Sequence, residues 1–128
     1  MILIDSSIWI DHLRSSDPVL TDLLNKGRVV THPFVIGELA LGSLRNRDAI
    51  LSSLRGLPQA VVAQDSEVAQ LIERHALYGL GIGYVDAHLL ASVKLTPDAT
   101  LWTRDRRLAE VASQLAVAAD FARPSGPN

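Results

Sequence analysis

Apolar residues fall along this chain in two rhythms. ILID (2–5), a short run rich in β-branched side chains, predicts a strand buried on both faces, and RVVTH (28–32) and TLWT (100–103) are further strand candidates. Between them apolar positions recur at helical spacing. IWIDHLR follows Ser6 and Ser7, either of which can cap it, and a second helix starts at Asp17 with Pro18 in its first turn and stops at Gly27. Pro33 opens a helix through FVIGELALGSL, and further helices are expected at about 47–55 and 66–79, the latter capped by Asp65 or Ser66. After the loop GLGIG comes the helix YVDAHLLASV, then a turn at Pro97 and Asp98, the strand TLWT and a last helix in RDRRLAEVASQL. AVAAD (116–120) reads as a final short strand, and RPSGPN lacks the apolar content to fold.

The alternation of helix and strand predicts an α/β fold, a parallel sheet covered by helices on both faces. With no repeat, linker or low-complexity tract, the chain reads as one domain over 1–121 with a loose tail at 122–128. Cysteine is absent, which excludes a disulfide framework and a thiolate metal site. MILIDSSIWIDHL has no basic leader and holds Asp5 and Asp11 within its apolar run, so it reads neither as a signal peptide nor as a spanning helix. A cytoplasmic protein without membrane contact is expected. Twelve basic residues against 14 acidic give a net charge of -2, too little field for a general polyanion coat. Ten of the 12 are arginine, suited to forked contacts with phosphate, with a local group at Arg104, Arg106 and Arg107.

Four carboxylates change the picture. Ligands of open parallel sheets bind beyond the carboxyl ends of strands, where strand order reverses. Asp5 closes the first strand and Asp105 follows the late one, so both belong to that rim, within reach of one ion if the two strands are neighbours. Asp86 stands at a helix start that can face the same crevice. Glu38 lies within an otherwise apolar helix, where a charge calls for a partner such as a cation or an arginine. Each acid alone has a structural use, as a helix cap, a first-turn acid or an ion-pair partner. Together they match the hard-oxygen preference of Mg²⁺ or Mn²⁺, and such an ion can activate a water for in-line attack on phosphate.

The same residues carry a likeness. With ILIDSSIWID, VIGELALG, GYVDAHLLASV and LWTRDRRL in this order and spacing, the chain resembles a PIN-domain ribonuclease of the VapC toxin type from residue 1 to about 121. The resemblance implies a three-layer α/β/α sandwich with a mainly parallel sheet and a Mg²⁺-binding pocket of Asp5, Glu38, Asp86 and Asp105. Asp5 and Asp86 would be the firmest ligands, and Thr103 would support the pocket. It further implies RNA cleavage by a metal-activated water, a homodimer, and inhibition by a small cognate antitoxin threading into the active-site groove. Arg104 and Arg106, flanking Asp105, are the candidate phosphate contacts. Many members carry a further acid two positions beyond the fourth. Here that place holds Arg107, a departure that bears on a second metal site and on the role of Asp105, not on the pocket itself.

Two other classes fit parts of the pattern. One is a catalytically silent interaction partner on the same scaffold, separable only by an activity assay. The other is an Mg²⁺-binding receiver module, which calls for an acid pair after the first strand and a lysine after a late one. Here Asp5 stands alone, and Lys26 and Lys94 are the only lysines. The histidines His12, His32, His75 and His88 show no ligand spacing and are read as structural or exposed. Trp9 and Trp102 are read as core or interface residues. GLGIG, with no strand before it, is a poor nucleotide loop and a flexible approach to Asp86.

Overall fold

A computed structural model describes residues 1–120; the expected tail at 122–128 lies outside them. The sheet is built of β1 (Ile2–Ile4), β2 (Val29–Val30) and β3 (Thr100–Trp102), all parallel, in the order β2-β1-β3. Ile2 and Leu3 pair with Val29 and Val30 on one side, while Ile2, Leu3 and Ile4 pair with Thr100, Leu101 and Trp102 on the other. Single bridges extend it at both edges, Thr31 to Gln59 and Leu101 to Ala118. AVAAD therefore contributes one bridge rather than a strand, and the Gln59 edge, which follows Pro58, was not foreseen. Leu3 and Ile4 are wholly buried, consistent with a central strand covered on both faces.

Among the described residues seven helices accompany the sheet: α1 (Ser6–Arg14), α2 (Pro18–Asn25), α3 (Pro33–Ala40), α4 (Arg47–Arg55), α5 (Asp65–Arg74), α6 (Tyr84–Leu95) and α7 (Arg106–Gln114). The result is the expected three-layer α/β/α sandwich. Its core runs from Leu3, Ile4 and Ile8 through Leu39, Leu89 and Leu90 to Leu101 and Leu108.

Two helices are shorter than their periodicity predicts. α3 stops at Ala40, ahead of Gly42, and leaves Leu41 exposed, while Leu44 packs against the core from outside the helix. α5 ends at Arg74 instead of near 79: Ala76 takes a positive φ of 51°, and the Leu77 N–H turns back to the carbonyl of Ile72. The cap of α5 is also displaced by one residue, since Glu67 accepts the Gln64 N–H at 2.8 Å.

Two histidines are buried, and both serve packing. His32 Nδ1 accepts the Phe34 N–H at 3.0 Å, and its Nε2 meets Ser92 Oγ at 3.0 Å. Burial, then the neighbouring His88, lowers its pKa to about 4, so it is neutral at physiological pH. His88 packs its ring against Phe34 and Tyr84, with Nε2 3.3 Å from Asp65. Trp9 is in the core. Among the described residues no helix is long and apolar enough to cross a membrane.

Candidate active site

Strand order decides where the acids go. β1 is central, the chain crosses from it to β2 on one side, and β3 lies on the other, so the order reverses beside the carboxyl end of β1. Asp5 stands at that point. The Ile4–Trp102 pairing sets Thr103 across from it, and the Asp5 N–H continues the ladder by donating to the Trp102 carbonyl at 2.9 Å.

Asp5 is the N-cap of α1 by backbone geometry, yet its side chain makes no capping bond. Its carboxylate, with the residue only 7% exposed, instead accepts two hydroxyls at Oδ2, from Thr103 at 2.7 Å and Ser7 at 2.9 Å. Ser7 Oγ in turn accepts the Arg104 N–H at 3.1 Å. The serines expected to cap α1 are thus employed in the site: Ser7 on Asp5, and Ser6 on Glu38 Oε1 at 3.1 Å. Hydroxyls directly after an acid at a strand end were the available signal.

Glu38 projects from α3 on an exposed part of the helix, not the apolar surface that the pattern implies, and its partner is a serine rather than an arginine. Burial of the carboxyl raises its pKa, the Ser6 bond opposes this, and the charges of Asp5 and Asp86 raise it further. Glu38 also lines an open groove of about 530 Å³ that passes Ile10, Leu13, Arg14, Arg45 and Ile50.

Asp86 occupies the third position of α6 and accepts the Gly83 N–H at Oδ2, 3.1 Å away. Here the capping function of a first-turn acid and proximity to other acids coexist. Burial raises its pKa, the Gly83 bond lowers it, and the charges of Asp5 and Asp105 raise it. Asp105 is the N-cap of α7. Its Oδ1 accepts the Leu108 N–H at 3.1 Å, and its own N–H donates to Thr103 Oγ1 at 3.0 Å. Thr103 therefore joins Asp5 to the backbone of Asp105.

The two candidate phosphate contacts differ. Arg104 is half-exposed, but its guanidinium is already engaged, with Nε on Asp11 and Nη2 3.5 Å from Asp17. Arg106 is exposed in the first turn of α7. The local sequence had not shown that Asp11 and Asp17, from α1 and the α2 cap, converge on Arg104.

The donor set consists of hard carboxylate oxygens, and burial first, with neighbouring carboxylate charge adding to it, raises the pKa of Glu38 and Asp86. Among the described residues no group of three or more carboxylate or imidazole side chains is drawn together tightly enough to chelate one ion as a set. An ion that keeps several of its waters, as Mg²⁺ does, needs only one or two direct carboxylates, so the residues fit such an ion chemically.

Comparison with known proteins agrees with this architecture. Residues 2–114 match the PIN domain family. Over 118 residues the chain is 48% identical to Ribonuclease VapC32 of Mycobacterium tuberculosis (strain CDC 1551 / Oshkosh), covering 92% of this chain and 95% of that protein. The same identity and coverage hold for Ribonuclease VapC32 of strain ATCC 25618 / H37Rv.

Proposed function

The chain belongs to the PIN domain family, and from that premise we propose that it is a divalent-metal-dependent endoribonuclease, the toxin of a type II toxin–antitoxin pair. What supports this reading is the mutual influence of acids from separate elements, Asp5 and Asp86 acting on Glu38 and Asp5 and Asp105 on Asp86, beside the reversal of strand order.

Asp5 and Asp86 are the residues that would hold Mg²⁺ or Mn²⁺, with Glu38 and Asp105 acting directly or through water. When bound there, the ion supplies Lewis-acid polarisation of a phosphoryl oxygen and a lowered pKa for a water positioned in line. Ser7 and Thr103 fix the Asp5 carboxylate through Oδ2, so that neither hydroxyl uses Oδ1. Ser6 orients Glu38, whose carboxyl is held above its ordinary pKa chiefly by burial. Arg106, at the start of α7, is the candidate contact to an RNA phosphate.

RNA as substrate, a small antitoxin as inhibitor, a homodimer and a cytoplasmic setting complete the proposal. The groove beside Glu38, with apolar walls from Ile10, Leu13 and Ile50 and the cations Arg14 and Arg45, suits a threaded inhibitor segment.

The test is to express the parent chain, Asp5→Asn and Asp86→Asn in matched cells and map new RNA 5′ ends, with purified proteins assayed in Mg²⁺ and in EDTA. Discrete cuts and growth arrest with the parent alone, abolished by EDTA, are expected. Equal cutting by both variants would sink the pocket assignment.

A further inference from the structure

The segment that delivers Asp86 to the site is held in an unusual way. Among the described residues no side-chain hydrogen bond holds residues 78–82, and most of the segment is exposed. Gly79 and Gly81 both take positive φ, 74° and 81°, so the backbone here is of a kind that side-chain-bearing residues rarely adopt. Gly81 is exposed, yet Arg107, also exposed, passes close beside it: a Cβ added to Gly81 would stand 2.5 Å from Nη1, 2.8 Å from Cδ and 3.1 Å from Cζ of the arginine.

Arg107 is itself well anchored at its root. It belongs to the first turn of α7, whose N-cap Asp105 accepts the Leu108 N–H and donates its own N–H to Thr103, which bonds Asp5. On the other side, Gly81 is two residues from Gly83, whose N–H bonds the Asp86 carboxylate. A continuous path thus runs from Asp5 through Thr103 and α7 to Arg107, and across Gly81 to Asp86.

Resting on the proposed role of Asp86, we infer that Arg107 is a positioning residue, a clamp whose side chain presses the 79–83 loop into place and so sets Asp86 opposite Asp5 for ion binding. The guanidinium needs no acid partner for this task. Its planar, rigid end passes close beside the glycine backbone. The fit is mutual, because a Cβ at Gly81 would oblige the outer atoms of Arg107 to shift.

The full chain and its Arg107→Ala, Arg107→Lys and Gly81→Ala variants decide the matter with three measurements: backbone ¹⁵N order parameters, Mn²⁺ affinity by calorimetry without RNA, and steady-state RNA cleavage. In Arg107→Ala the order parameters at residues 79–83 should fall from about 0.85 to below about 0.6. Mn²⁺ affinity should drop about tenfold, the size usual for a lost supporting residue of a metal site. kcat at fixed Mg²⁺ should fall while KM for RNA holds. Arg107→Lys, which keeps the Cδ that passes beside Gly81, should recover most of the order, and Gly81→Ala should reproduce the Arg107→Ala affinity by displacing the guanidinium.

Unchanged loop order and ion affinity in Arg107→Ala would overturn the clamp, as would a raised KM alone, which would make Arg107 a substrate contact. Loss of order spread through the core would equally overturn it. If the parent chain neither binds Mn²⁺ nor cuts RNA, the proposed function fails, while the order parameters still decide whether Arg107 holds the loop.

Discussion

Thr103 donates its hydroxyl hydrogen to Asp5 Oδ2 across 2.7 Å, though 98 positions separate the two residues. The pairing of Ile4 with Trp102 brings them together, and the same hydroxyl oxygen accepts the Asp105 N–H at 3.0 Å. One side chain therefore orients a carboxylate and the start of α7 at once. Thr103→Val keeps the shape and removes both bonds. It should lower unfolding free energy by about 1–3 kcal/mol in urea titration, since one bond is to a charged group. RNA cleavage should fall by about tenfold or more, with Thr103→Ser recovering most of both quantities. A Val variant as active as the parent would remove Thr103 from the site.

Glu38 and Asp86 give the metal-free protein a pH dependence of definite sign. Burial first, then neighbouring charge, raises both pKa values above the ordinary 4.5 and 3.8, so ionisation costs more in the folded chain than in the unfolded one. Their contribution to stability is complete below the unfolded values and is lost as pH rises through the folded ones. In EDTA at neutral pH, Glu38→Gln and Asp86→Asn should each raise Tm, by about 2 °C given the partial exposure of both groups. The gain should vanish as the pH is lowered to the ordinary carboxyl range. Adding Mg²⁺ should stabilise the parent at neutral pH and leave Asp86→Asn unmoved. A lower Tm for both variants in EDTA would contradict this account of half-buried, crowded carboxylates.

The legible part of this site was whatever followed from strand ends. Asp5 ends an apolar run, and TLWT ends in the threonine before Arg104 and Asp105, so their common rim needed only the neighbouring of β1 and β3, which the register supplies. Local periodicity could not reveal where a helix loses its tertiary support. α5 was read five residues too long because Ala76 turns the chain through a positive φ that no propensity of alanine foretells. Side-chain competition was equally hidden. Ser6 and Ser7 are good caps by type, but the helix begins at Ser6, which leaves both inside its first turn with their hydroxyls on Glu38 and Asp5. The Arg107–Gly81 contact joins segments 26 positions apart, and its only trace in the sequence was a glycine-rich loop and an arginine in an unexpected place.

Arg104 and Arg106 should separate on substitution. Arg104 is tied to Asp11 and Asp17 and so bridges the start of α7 to α1 and α2. Arg104→Ala should cost no more than about 1 kcal/mol, the range of half-exposed ion pairs. Its KM for RNA should move less than that of Arg106→Ala. The latter should raise KM several-fold and reduce the slope of log affinity against log salt by about 0.7, one phosphate contact on a single strand. If Arg104→Ala produces the larger KM change, the guanidinium leaves its acids for the phosphate when RNA binds.

Asp105 carries two functions that two substitutions divide. As N-cap of α7 it accepts the Leu108 N–H at Oδ1, 3.1 Å away, and as a charge it raises the pKa of Asp86. Asparagine caps helices about as well as aspartate but carries no charge, whereas alanine does neither. Asp105→Asn should therefore leave urea stability within about 0.5 kcal/mol of the parent, and Asp105→Ala should lose about 1 kcal/mol through the missing cap. Both should bring the Asp86 carboxyl closer to its ordinary range, measurable by carbon NMR titration of the metal-free chain. If the ion depends on this carboxylate, the Mg²⁺ concentration for half-maximal cleavage rises in both variants. If Asp105 serves only as a cap, Asp105→Asn cleaves RNA as the parent does and Asp105→Ala alone is impaired, in proportion to its lost stability.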